Sequence, residues 1–174
     1  MSAVEPGVAV TPVSEIVASL ARAPTVILPM VRQADPVVLK RRPDPGKWSI
    51  HEHACHLAAV HPVFQARLTV MLETENPVIR SYDPGRDEPD GVLLGQDLNE
   101  ALSRFEQERR VFVQRLERLP PDAWGRPARH EEYNSYSVLT MCRHFMLHDF
   151  LHAYRIEELL LRKDWPAPLP DPGR

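Results

Sequence analysis

Apolar residues recur at helical spacing along most of the chain, in four amphipathic segments. In the first, from about Pro12 to Val31, Ile16, Leu20 and Ile27 form one stripe. Thr11 is placed to cap this helix and Pro12 suits its first position, whereas Pro24 and Pro29 should kink or split it. The second begins at Ser49, where Glu52 three residues on completes a capping box. It carries Leu57, Val60, Phe64, Leu68 and Met71 at helical spacing and ends before Pro77. The third, about Gly95 to Leu119, has a near-heptad stripe of Leu98, Leu102, Phe105, Phe112, Leu116 and Leu119. Arg109 occupies the one position of that stripe that should be apolar. The fourth, about Ser135 to Lys163, carries Met141, Phe145, His148, His152, Ile156 and Leu159. Strand-like alternation is absent. The segments RRPDPGKW and SYDPGRDEPDG read as a linker and a loop, and residues 1–11 and 164–174 as irregular tails. The pattern predicts an all-α fold: one domain over 1–174, an antiparallel four-helix bundle with a long crossover between helices two and three.

Composition narrows the function classes. The 174 residues include 43% hydrophobic ones, enough for one domain with a real core. A net charge of −3 gives no electrostatic reason to expect nucleic acid or an anionic membrane as partner. No run approaches 18 apolar residues, so no membrane span is expected, and the N-terminus does not read as a signal peptide. The two cysteines, Cys55 and Cys142, form neither a disulfide framework nor a CxxC site; a reducing, cytoplasmic location is the expectation. The proline-interrupted first helix leaves part of an apolar face uncovered, and a homodimer is a further expectation.

Histidine is the residue type that changes the picture. In RHFMLHDFLHAYRIEE, His144, His148 and His152 are spaced by four, so successive rings share one helix face about 6 Å apart along the axis. Two imidazoles so placed can converge on one metal, or each can be a core histidine bonded to a neighbouring helix. The second helix offers a third ligand in WSIHEHACHL, where His56 lies on the apolar side and His53 one turn earlier is near it. His51 points elsewhere and, like His61, is expected to be exposed. His56, His148 and His152 would supply three neutral nitrogens from two helices. That set suits Zn²⁺, Ni²⁺ or Fe²⁺ and leaves positions open for water or substrate. His144 and His53 each remain a fourth ligand, a supporting hydrogen-bond partner or a core residue.

These two blocks carry a resemblance. PGKWSIHEHACHL resembles the W-S-x-x-E-x-x-x-H-L entry to the second helix of the DinB-like (DinB/YfiT) superfamily, and HDFLHAYRIEEL resembles its late H-x-x-x-H-x-x-R motif. They stand about ninety residues apart in a chain of fitting length. The resemblance implies a four-helix bundle with a divalent metal on His56, His148 and His152, and Trp48 as a packing residue. Some relatives are thiol-dependent S-transferases or isomerases that use mycothiol, bacillithiol or glutathione, and the family name refers to DNA-damage induction. The extra histidines at 51 and 53 depart from the pattern.

The remaining candidates have two readings each. Glu52 is a general base or a support for a ligand histidine, or it is simply the cap, which is favoured. Arg155 binds a substrate carboxylate, or pairs with Glu158 or an acid of the third helix. Asp149, in HDFLH, is read as a solvated or salt-bridging helix residue rather than a zincin-type base, since no downstream third-ligand motif follows. Arg109 needs Glu52 or a substrate anion if buried, and snorkels by default. No convincing protein nucleophile is present, so the thiol of a cosubstrate is expected to attack a small-molecule electrophile. The rival expectation is a non-catalytic, stress-associated protein in which the metal ties the second helix to the fourth.

Overall fold

A computed structural model describes residues 11–83 and 89–165. Residues 1–10 and 166–174 of the expected tails, and 84–88 of the expected loop, lie outside the described residues. The helices are α1 (Val13–Arg32), the short α2 (Pro36–Leu39), α3 (Ile50–Ala59), α4 (His61–Glu73), α5 (Leu98–Glu117) and α6 (Val138–Leu160). α1 packs on α5 and α6, α3 packs on the same two, and α4 continues the α3 arm, which makes a four-helix bundle. The chain from 74 to 97 is the long crossover. Phe112, Phe145, Leu68 and Met141 fill one half of the core; Leu57, Leu102, Phe105 and Ile156 fill the other.

The second segment is two helices, not one. Pro62 stands in the first turn of α4 and has no N–H to give the preceding turn, so the helix is interrupted at Val60. α1 departs from expectation in the opposite sense: it runs unbroken through Pro24 and Pro29. Pro24 leaves the Leu20 carbonyl without its i+4 donor, and the Arg109 guanidinium supplies one at 3.1 Å. Thr11 does not cap the helix; Pro12 takes the N-cap position with no side-chain bond. α5 and α6 both start slightly later than the periodicity predicts, capped by the Asp97 and Ser137 side chains. By length and composition alone α1 is apolar enough to cross a bilayer, although polar residues interrupt it. Here Ile16, Leu20, Ile27 and Val31 are buried within the bundle.

Three short strands correct the expectation of none. β1 (Val78–Ile79) pairs in parallel with β2 (Pro127–His130), with Val78 opposite Arg129. β2 pairs antiparallel with β3 (Tyr136–Ser137), with Ala128 opposite Tyr136. Two to four residues are too few to show a period of two in the sequence. This small sheet ties the crossover to the start of α6 and sets a hairpin, residues 131–135, beside the bundle.

Arg109 and Asp149 are the largest surprise in the core. Both side chains are 1% exposed and pair bidentately, Nη2 to Oδ1 at 2.9 Å and Nη1 to Oδ2. The guanidinium lies over the rings of Phe105 and Phe145, one from each half of the core. Asp149 is therefore salt-bridging but not solvated, and Arg109 neither snorkels nor meets Glu52.

Candidate metal centre

Three imidazoles from two helices face one another. α3 contributes His56, and α6 contributes His148 and His152 one turn apart. His56 Nε2 lies 2.9 Å from His148 Nε2, which lies 3.1 Å from His152 Nε2. One ligand atom from each falls within 4.8 Å of the others. Ring nitrogens bound at about 2.05 Å around a tetrahedral ion would be about 3.3 Å apart, so these two separations lie within a few tenths of an ångström of those in a coordination shell. The donor set fits a borderline divalent cation. Among the described residues no fourth ligand joins the group.

Trp48, just before the Ser49 cap, closes one side of the cluster. Its ring is 4.7 Å from His56, stacks on His152 at 5.9 Å and meets His53 edge-on at 5.5 Å. His53 does not reach the Nε2 cluster through this contact; its Nδ1 is 2.8 Å from Nδ1 of His152. A tautomer of His152 with a free Nε2 lone pair carries its proton on Nδ1, which then donates to His53. That contact orients a ligand ring and fixes its tautomer.

Glu52 is tied to the helix start. Its Oε2 accepts from the Ser49 backbone N–H at 2.9 Å while its own backbone N–H donates to the Ser49 hydroxyl at 3.2 Å, which is the expected capping box; the hydroxyl also donates to Oε2 at 2.9 Å. Arg42, which the sequence reading did not single out, grips the same carboxylate from the linker. Burial pushes this carboxyl up, but the bonds from Arg42 and Ser49 outweigh it and hold it below the usual carboxylate range. Arg155 is exposed and pairs with Glu158 at 2.7 Å, on a cleft of about 430 Å³ that also reaches His53 and Trp48. His144 stands apart from the cluster, edge-on to Tyr133 at 5.1 Å.

His51 and His61, expected on the surface, are 1% and 0% exposed. His51 reaches the Leu93 carbonyl at 3.1 Å. His61 packs edge-on against Phe105 and Phe145, and neither of its ring nitrogens has a hydrogen-bond partner. Only its place before Pro62 had argued for exposure; the helix break at Val60 turns it inward.

Burial disfavours the charged imidazolium at several of these positions. It pushes His53 down to about 4 and His148 to about 3, and lowers His152 and His61 as well. Unfolded histidines titrate near 6.5, so between about pH 6.5 and the lower folded values the unfolded chain binds more protons. Stability of the metal-free protein is therefore full above about pH 6.5 and falls as pH drops through that window. A His61→Leu variant lacks one such group. Its stability should fall less steeply, by up to about 1.4 kcal/mol per pH unit, in urea unfolding at stepped pH. An unchanged slope would show that His61 takes up its proton without cost in the folded state.

Comparison with known proteins follows the same lines. A family model described as the DinB superfamily matches residues 19–156. A protein of Oceanobacillus iheyensis, named as a proposed metal-dependent hydrolase, is 28% identical over 120 residues, 69% of each chain. Among solved structures, YfiT from Bacillus subtilis, described as a proposed metal-dependent hydrolase with an unusual four-helix bundle topology, superposes with a TM-score of 0.78 at 19% identity. That match covers 90% of this chain and 91% of the other. A DinB-like protein from Bacillus subtilis matches with a TM-score of 0.56 at 15% identity, over 87% of this chain and 96% of that one.

Proposed function

From the premise that this chain belongs to the DinB superfamily, we propose that it is a divalent-metal-dependent enzyme that transfers or isomerises through the sulfur of a low-molecular-weight thiol. The observation that carries the reading is the convergence of His56, His148 and His152 with no fourth ligand among the described residues. A divalent cation held there supplies Lewis acidity that makes a coordinated thiol or water nucleophilic near neutral pH. The chain's own residues hold and orient: His53 sets the His152 tautomer, and Trp48 walls the cluster.

The supply of bases favours thiol over water. A water nucleophile usually works beside a carboxylate base, and the two nearest in sequence are engaged. Glu52 is bound by Ser49 and Arg42, and Asp149 is locked to Arg109. A thiol starts near 8.5 and loses its proton on metal binding without a protein base. Cys55 and Cys142 are buried thiols pushed up to about 11 and about 12, so neither is the nucleophile. The thiol comes from outside, with mycothiol, bacillithiol and glutathione as the candidates and an electrophilic small molecule as acceptor. Hydrolysis is the second reading, favoured by the names of the Oceanobacillus iheyensis and Bacillus subtilis proteins. A thiol-consumption screen with the three thiols and a panel of electrophiles separates them. Metal-dependent turnover with one thiol is expected; ester or amide hydrolysis without any thiol would transfer the assignment to the second reading.

A further inference from the structure

Beside the metal centre lies a cleft of about 340 Å³, the size of a small-molecule site, with His148 in its wall. It is bounded by α4, by α6 and by the hairpin between β2 and β3. Its wall is unusually aromatic. The Phe64 ring lies 6.4 Å from the His148 ring on one side and 5.6 Å from the Arg67 guanidinium on the other. Tyr133 and Tyr136, also in the wall, stand nearly parallel, 10° apart with centroids 6.2 Å apart. The Tyr136 hydroxyl is buried and lies within reach of the Arg67 guanidinium; no acceptor takes its own proton, which leaves it free to donate to a ligand. Arg67 is half-buried and anchored by one nitrogen, Nη2, on the Arg80 carbonyl at 2.7 Å. Among the described residues of the wall it is the fixed cation, since burial disfavours the charged forms of the neighbouring His130 and His144. The one acid among the described lining residues, Glu132, is exposed.

The geometry points to this cleft as the acceptor site, shaped for a small planar aromatic or conjugated carboxylate whose carboxylate sits at Arg67 and Tyr136 while its ring or double bond lies along Phe64 toward His148. The inference rests on the metal-enzyme reading only for calling this molecule the acceptor; the binding itself stands on the cleft. A flat π-system suits a cleft lined by Phe64, Tyr133 and Tyr136. A guanidinium beside a phenol donor suits a carboxylate. A compound so anchored presents its conjugated portion to the metal side without relying on the metal for its affinity.

Calorimetric titration with trans-cinnamate and its uncharged analogue cinnamamide tests this, on the protein as purified and after metal removal. Cinnamate should bind at least about tenfold more tightly than cinnamamide in both forms, since a charge-assisted pair is lost in the amide. Arg67→Gln should abolish that preference with metal content unchanged, and Tyr136→Phe, which removes one oxygen, should weaken cinnamate alone. Equal affinity for the two compounds, or a preference that survives Arg67→Gln, overturns the assignment. So does a preference present only with metal bound, which would make the carboxylate a metal ligand. Should Arg67→Gln fail to fold, unchanged cinnamate affinity in Tyr136→Phe is the overturning result. Selective cinnamate binding without any thiol turnover keeps the cleft and removes the S-transfer reading; thiol turnover without selective binding does the reverse.

Discussion

Asp149→Ala is expected to destabilise the fold by about 3–5 kcal/mol, the usual cost of breaking a buried ion pair by removing one partner. The guanidinium of Arg109 would remain in the core between Phe105 and Phe145 with no anion. Arg109→Ala should be at least as damaging, because it uncovers two acceptors at once: the Asp149 carboxylate and the Leu20 carbonyl that Pro24 cannot serve. Replacing both, as Arg109→Leu with Asp149→Leu, should recover much of the loss, since a packed apolar pair is often as stable as a buried ionic one. The recovery should stop short by about 1–3 kcal/mol, the cost of the orphaned Leu20 carbonyl. Urea midpoints of the three variants at pH 7 measure this. An Asp149→Ala protein within about 1 kcal/mol of the parent would mean that the pair contributes nothing beyond its volume.

Removing any one of the three facing imidazoles is the other large effect. Changing a residue that only supports a ligand commonly costs 10- to 100-fold in metal affinity, so loss of a ligand itself should exceed about 100-fold. His56→Ala, His148→Ala and His152→Ala should therefore each fail to hold zinc against a chromophoric chelator under conditions where the parent retains it. His53→Ala, which removes only the partner of His152 Nδ1, should lose about 10- to 100-fold and keep stoichiometric binding at saturating metal. Circular dichroism separates loss of ligand from loss of fold. Equal losses in His53→Ala and His152→Ala would make His53 a ligand and the site a closed one.

Much of this was readable from the chain because helical spacing and imidazole chemistry act locally. The i,i+4 pair His148 and His152, the inward side of His56 and the Ser49–Glu52 capping box each depend on residues within two turns. What escaped depends on distant contacts. Arg109 broke an apolar stripe, which marked it as unusual, but its partner lies 40 residues away on another helix. Asp149, read as a solvated or salt-bridging helix residue, is buried because its partner lies on another helix, which its local sequence does not show. Arg42 reaches Glu52 from a linker that showed no periodicity at all. The aromatic cleft was invisible for the same reason: EEYNS between β2 and β3 carries no periodic signal, and the pairing of β1 with β2 helps bring Arg67, Tyr133 and Tyr136 to one cleft. α1 shows the converse, a local rule overridden, since two prolines that should break a helix are tolerated when the bundle supplies a donor to one freed carbonyl.

Three histidines from α3 and α6 are placed to hold one divalent ion and to leave part of its shell open. An anomalous difference map at the zinc edge, from crystals grown with zinc, addresses it directly. One peak per chain is predicted, bonded at about 2.0–2.1 Å to Nε2 of His56, His148 and His152 and to no other side chain. A peak elsewhere, no peak at these rings, or His53 as a fourth ligand would contradict the account.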